Sequence, residues 1–121
     1  MKKLLITLLL ISPFSFADWG DVYYCQMTTF SKTTLEGKRT DYILDKFQFK
    51  LDKTKNAMVF GKGGIFNNME YELVEDMAWS LVEIWYARDE FSTLYFEKGK
   101  FLYSDTGSIG ITSISADCDK F

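Results

Sequence analysis

Few side chains in this sequence have the types and spacing to do chemistry. Acidic pairs stand at Glu75-Asp76, at Asp89-Glu90 and at Asp117 with Asp119. Two carboxylates held across a sugar ring can cleave a glycosidic bond. Neighbours on a strand point to opposite faces, so the first two pairs read as turn acids and not as cooperating groups. Asp117 and Asp119 flank Cys118 and can share a face. Calcium, the cation such oxygens suit, takes on the order of six to eight ligands, so this pair reads as a solvated chain end. Gly61-Lys62-Gly63-Gly64 lacks the Lys-Ser/Thr ending of a phosphate-binding loop and reads as a turn. Asn67 and Asn68 lack the N-x-S/T context of a glycosylation acceptor. The chain contains no histidine. That removes the Ser-His-Asp triad, the Cys-His pair, His-ligated zinc and an imidazole pH switch. Two cysteines cannot build a four-thiolate zinc site. The expectation is a protein that is not an enzyme and needs no metal or cofactor.

Cys25 and Cys118 carry a different chemistry. An even cysteine count in an exported chain predicts a disulfide, and two cysteines allow one intramolecular pairing. Closing so long a loop is worth on the order of 4–5 kcal/mol on chain-entropy grounds. The bond requires Cα atoms within about 7 Å, so the first and last strands must be neighbours. A redox-active pair would call for the close C-x-x-C spacing that tunes such thiols, which is missing.

The remaining resource is aromatic: 11 Phe, 7 Tyr and 3 Trp. Most must be core. Phe47, Phe49, Phe60, Leu94, Phe96 and Phe101 are the expected filling of a solid interior. The runs Tyr23-Tyr24 and Trp85-Tyr86 place rings on both faces of a strand, so some of them must be exposed or line a cavity. Tyr23, Tyr24, Trp79, Trp85 and Tyr86 are therefore the candidate binding aromatics, because exposed Tyr and Trp are favoured at interfaces.

The elements that must position these residues read as strands. Asp21–Phe30 is rich in aromatic and β-branched residues and predicts the first. Ser31–Arg39 reads as a polar loop. Lys46–Leu51 alternates strictly, with Phe47, Phe49 and Leu51 on one face and Lys46, Gln48 and Lys50 on the other. A turn over Asp52–Asn56 leads to a short strand, Ala57–Phe60, and a further one is expected near Glu70–Val74. Ser92–Ser104 predicts a hairpin with a two-residue loop at Lys98-Gly99. That loop sets Phe96 opposite Phe101 and Glu97 opposite Lys100 as a charge pair, with Leu94, Phe96, Phe101 and Tyr103 on one face. Ser108–Cys118 is the last strand, with Ile114, Ala116 and Cys118 on one side and Ile109 and Ile111 on the other. Met69–Arg88 has two readings. Leu73, Met77, Leu81 and Trp85 recur with a helical period. Two strands broken near Asp76-Met77-Ala78 fit its aromatic and β-branched content, and the strand neighbours favour this second reading. The sum is an all-β fold: a small antiparallel β-barrel or sandwich of about seven or eight strands, its terminal strands linked by one disulfide.

Met1–Ala17 reads as a signal peptide: Lys2 and Lys3, an apolar run Leu4–Ile11, Pro13, then small Ser15 and Ala17 before the cleavage point. Residues 18–121 are then a single secreted β-domain, periplasmic or extracellular. Asp18 is not a cysteine and no second long apolar run follows, so no stable membrane anchor is expected. Loss of Lys2 and Lys3 makes the net charge of −3 more negative by two. An acidic domain is a poor binder of nucleic acid and suits a cationic partner, although such a charge also serves plain solubility.

Two functions fit. One is a protein-binding module of the cell envelope that docks on an unidentified, cationic partner and acts in the manner of a hydrolase inhibitor. The other is a carrier of a small apolar ligand in the barrel interior. In architecture the exported, acidic, disulfide-closed β-domain resembles the periplasmic inhibitors of c-type lysozyme, small β-barrels that target a cationic enzyme. Their serine-glycine-rich inhibitory motif has a loose counterpart in Ser104-Asp105-Thr106-Gly107-Ser108. The resemblance implies docking without catalysis and assigns no residue role.

Overall fold

The computed structural model describes residues 17–74, 84–107 and 109–121. The expected leader, apart from Ala17, lies outside them, as do Trp79 and the centre of the ambiguous segment. Among the described residues there are nine strands and no helix: β1 (Val22–Thr33), β2 (Arg39–Asp41), β3 (Lys46–Asp52), β4 (Ala57–Phe60), β5 (Glu70–Glu72), β6 (Trp85–Arg88), β7 (Ser92–Glu97), β8 (Lys100–Gly107) and β9 (Gly110–Lys120). Both described ends of the ambiguous segment are thus strands. All pairings are antiparallel, in the order β5-β4-β3-β1-β9-β8-β7-β6. A bridge between Leu73 and Ala87, with the Val74 N–H donating to the Tyr86 carbonyl at 2.8 Å, brings the two outer strands together. The sheet is nearly closed into a barrel.

Alternation builds the interior. Tyr23, Cys25 and Met27 of β1, Phe47, Phe49 and Leu51 of β3, Leu94 and Phe96 of β7, and Phe101 and Tyr103 of β8 are all buried. Cross-strand rings stack or meet edge to face: Phe49 and Phe96 at 5.1 Å, Phe47 and Phe101 at 4.9 Å, Phe60 and Phe66 at 4.6 Å between centroids. Phe66 comes from the β4–β5 connection and turns inward to close over this cluster, 1% exposed. Cys25 and Cys118 sit directly opposite each other on β1 and β9, with Cα atoms 4.0 Å apart, and are bonded.

Three local readings are corrected. Ser31–Arg39 is not simply a loop. β1 runs on to Thr33, because β9 supplies a partner on one edge and β2 folds back to supply one on the other, pairing Ser31 with Asp41 and Thr33 with Arg39. The hairpin at Lys98-Gly99 forms in the expected register, both turn residues having positive φ (49° and 77°), but Glu97 and Lys100 do not pair as charges. β9 sets Asp117 opposite Lys100, and Lys100 Nζ donates to its carboxylate at 2.6 Å. Glu97 instead accepts the Tyr95 hydroxyl. The third concerns β9, which begins at Gly110. There φ is 138°, and a Cβ would lie 2.3 Å from the Thr33 carbonyl oxygen, so only glycine lets β9 approach β1 this closely.

One irregularity matters for the site. The β1–β9 register shifts between Met27 and Thr29. Thr28 is the extra residue of a β-bulge, and the hydroxyls of Thr28 and Thr29 both reach Ser115 Oγ, at 2.7 and 2.6 Å. A bulge inverts the alternation beyond it. Before it the odd-numbered side chains of β1 face inward. After it Phe30 opposes the buried Ile114, and Lys32 opposes Thr112.

Candidate functional site

The inward faces change chemistry along the barrel. Towards one end, called the mouth here, each buried apolar row continues into a polar residue of the same parity. Leu94 is preceded by Ser92, Phe101 and Tyr103 are followed by Asp105, Ile114 is preceded by Thr112, and Ala87 is followed by Asp89. The bulge adds Lys32. These residues, with Tyr71, Gly107 and Gly110, line an open cleft of about 610 Å³, whose apolar lip is Met69, Phe91 and Ile109. That size suits a small ligand or an inserted side chain.

The floor is a chain of hydroxyls and carboxylates. Ser92, buried, has its Oγ 3.3 Å from the Tyr103 hydroxyl. Tyr103 Oη also lies 3.2 Å from Asp105 Oδ2, to which it donates. Tyr71 Oη is 3.5 Å from Met69 Sδ. Asp89 Oδ1 accepts the backbone N–H groups of Phe91 (3.0 Å) and Ser92 (2.8 Å), which fixes the β6–β7 turn as expected of a turn acid. Burial pushes the Tyr71 phenol well above its ordinary value, and the nearby Tyr103 hydroxyl and the charges of Asp89 and Asp105 push the same way. Burial also raises Tyr103, a rise that Asp105 adds to and the Ser92 hydrogen bond opposes. Both phenols therefore stay protonated at neutral pH and serve as hydrogen-bond donors. The described residues contain no group of His, Cys, Asp and Glu suited to a metal.

A pH dependence follows. Below the unfolded phenol value, about 10, both states keep these protons and stability is unaffected. Above it the unfolded chain releases protons that folded Tyr71 and Tyr103 retain, so stability falls as pH rises through their folded values. Urea denaturation between pH 8 and 11 should show that fall, and the double variant Tyr71→Phe/Tyr103→Phe should flatten it. An equal slope in the variant would mean that the loss arises elsewhere.

The aromatic candidates read from the sequence are not brought together. Tyr23 is in the core, 5% exposed, stacked on Phe49 at 5.5 Å and edge-to-face with Phe96 at 4.7 Å, so its ring serves packing and not an exposed contact. Tyr24 is 45% exposed on the outer face of β1, against Phe121 at 5.2 Å. Trp85 is half-buried at the end away from the mouth, edge-to-face with Trp19 at 5.0 Å, and its buried indole N–H meets no acceptor among the described residues. Tyr86 pairs with Tyr95 across β6 and β7, on the other side of the barrel from Tyr24. Trp79 lies outside the described residues.

Sequence reasoning missed the apolar decoration of the mouth. Strand direction puts four connections towards this end, and each presents a large exposed apolar side chain: Leu35 between β1 and β2, Ile65 between β4 and β5, and, lining the cleft, Phe91 between β6 and β7 and Ile109 between β8 and β9. Ile111 of β9, also exposed, stands opposite Thr106 of β8 just inside the Ile109 turn. At the opposite end the described turns Lys53–Asn56 and Lys98-Gly99 are polar, while Trp19-Gly20 and the exposed Phe121 add apolar surface there too. The available signal was an apolar residue inside each turn-like stretch, where solvation alone favours polar ones. No family model matches this chain, and comparison with curated proteins and with solved structures finds no significant match.

Proposed function

We propose that the chain is a non-catalytic binding module of an oxidising, extracytoplasmic compartment, and that it docks on a protein through the mouth of its barrel. The disulfide supports the compartment, since such bonds persist outside the reducing cytoplasm. The observation that carries docking is the mouth itself, an apolar rim beside a polar cleft. Exposed Met69, Phe91 and Ile109 edge a polar cleft at the mouth, while the interior behind them is occupied by packed rings. Apolar patches rimmed by polar groups mark interaction sites. The packed interior favours docking over carriage of an apolar ligand, which would need that space. A cationic hydrolase of the c-type lysozyme kind is the specific partner class proposed, in keeping with the architectural resemblance and the net charge of −3.

A photo-crosslinking residue placed at Phe91 or Ile109 tests docking, with Leu102 on the outer face of β8 as the control. In an envelope extract, a discrete protein adduct from the two mouth positions and none from Leu102 is expected. Equal adducts from all three, or none, remove the docking reading. The hydrolase version is tested by turbidity: the protein should slow lysis of a cell-wall suspension by c-type lysozyme, and the double variant Phe91→Glu/Ile109→Glu should not. No slowing at a large molar excess of the protein removes that version alone.

A further inference from the structure

We infer that the mouth cleft is a socket for one basic side chain, a lysine or arginine of the docked protein set among apolar neighbours. The inference rests on the docking reading and names the chemistry that the partner must present.

The lining specifies this ligand by its charges. Asp89 and Asp105 both face the cleft. The ion pairs among the described residues are Arg39–Asp41, Lys55–Glu70, Lys100–Asp117 and Lys120–Asp21. Neither cleft carboxylate joins one. Asp89 spends Oδ1 on two backbone N–H groups, and Asp105 takes the Tyr103 hydroxyl on Oδ2. Among the described residues each keeps an oxygen for an incoming donor. The two line one cleft together with the Tyr71 and Tyr103 hydroxyls. Lys32 is the single cation in the lining, leaving an excess of one negative charge.

The surroundings specify the rest. Tyr71 and Tyr103 line the same space, and their hydroxyl oxygens can accept a further hydrogen bond from a cationic donor. Met69, Phe91 and Ile109 at the lip match a methylene stem and apolar neighbours. A carboxylate or phosphate would meet two like charges; a purely apolar side chain would strip water from Asp89 and Asp105 without replacing it. A basic side chain satisfies floor and lip together, and at an interface a paired buried charge mainly sets which partner is accepted.

Two peptides test this, acetyl-Leu-Lys-Leu-amide and its norleucine counterpart, titrated into the isotope-labelled, disulfide-bonded protein and followed by amide NMR shifts. The lysine peptide should bind about tenfold more tightly than the norleucine one. Shifts should centre on Tyr71, Ser92, Tyr103, Asp105 and Thr112, and binding should weaken several-fold between 0.05 and 0.5 M salt. Asp105→Asn, which keeps size and can still accept from Tyr103, should lower affinity about five- to tenfold. Lys32→Met should raise it. Equal affinity for the two peptides, shifts away from the mouth, or an unchanged affinity in Asp105→Asn with its spectrum still folded would each overturn the inference. Crosslinking at Phe91 and Ile109 that persists alongside such a result would leave docking in place, whereas discrimination between the peptides without any crosslinked protein would remove docking and keep the cation site.

Discussion

Removing the disulfide, by the double substitution Cys25→Ala/Cys118→Ala or by full reduction, should lower the unfolding free energy by about 2–5 kcal/mol. The bond closes a loop with a sequence separation of 93 between β1 and β9, the two strands that carry the ends of the chain. Without it, those ends must find each other in the unfolded ensemble at a cost that the crosslinked chain has already met. Domains of this size have about 5–15 kcal/mol in total, so the loss is a large share of the whole. The urea midpoint should fall. The slope of free energy against urea should rise, because an unfolded chain freed of its crosslink exposes more surface. Reduced wild-type protein separates the crosslink from the lost sulfur packing, since both cysteines are buried. A change below about 1 kcal/mol, with the slope unaltered, would mean that the β1–β9 ladder alone holds the ends together.

The parts of the fold legible in the sequence are those in which local chemistry and long-range packing agree. Gly99 takes positive φ without steric cost, and the alternation on either side has one register that buries Leu94, Phe96, Phe101 and Tyr103 together, so turn and core specify the same hairpin. Lys46–Asp52 is equally explicit, because a one-residue slip would turn Phe47, Phe49 and Leu51 to solvent. Illegibility begins where a third strand decides. Lys100 has Glu97 opposite it within the hairpin but Asp117 opposite it on β9, and nothing local to the hairpin announces the second. The bulge at Thr28 is hidden likewise: Thr28-Thr29 reads as ordinary strand, and only the pairing with β9 shows that one residue is extra.

The same limit applied to the site. The cleft residues Ser92 and Asp105 lie one alternation step beyond rows already visible as core, so continuing those rows would have found them. Lys32 could not be found this way, because the bulge reverses its parity. Residue type alone misdirected the choice of aromatics: Tyr23 and Tyr24 are chemically alike, and the pleat sends one into the core and the other to solvent. What distinguishes the mouth is less the kind of side chain than its setting, apolar where turns are usually polar and polar where the barrel face is otherwise apolar.

Replacing Phe101 by Ala should cost about 3–5 kcal/mol, as deletion of a fully buried ring does when its surroundings relax only in part. Phe101 has no solvent exposure and lies within 4.9 to 6.0 Å, centroid to centroid, of Phe47, Phe49, Phe60 and Phe66. Its rings come from β3, β4 and the β4–β5 connection as well as β8, so no single strand can shift to fill the space. The neighbouring Leu102 points outward, 52% exposed, and Leu102→Ala should stay within about 0.5 kcal/mol. Urea denaturation of the two variants against the parent measures both. Phe101→Leu should fall between them, retaining part of the volume. The comparison also bears on function. A barrel that carried an apolar ligand would already hold open space beside Phe101, and truncation there would extend an existing cavity at little more than the transfer cost of the lost atoms. A large difference between adjacent positions of one strand is the behaviour of a solid core, which supports the proposed docking over carriage. If Phe101→Ala proves as mild as Leu102→Ala, the interior is not the packed cluster described, and carriage regains the ground that docking now holds.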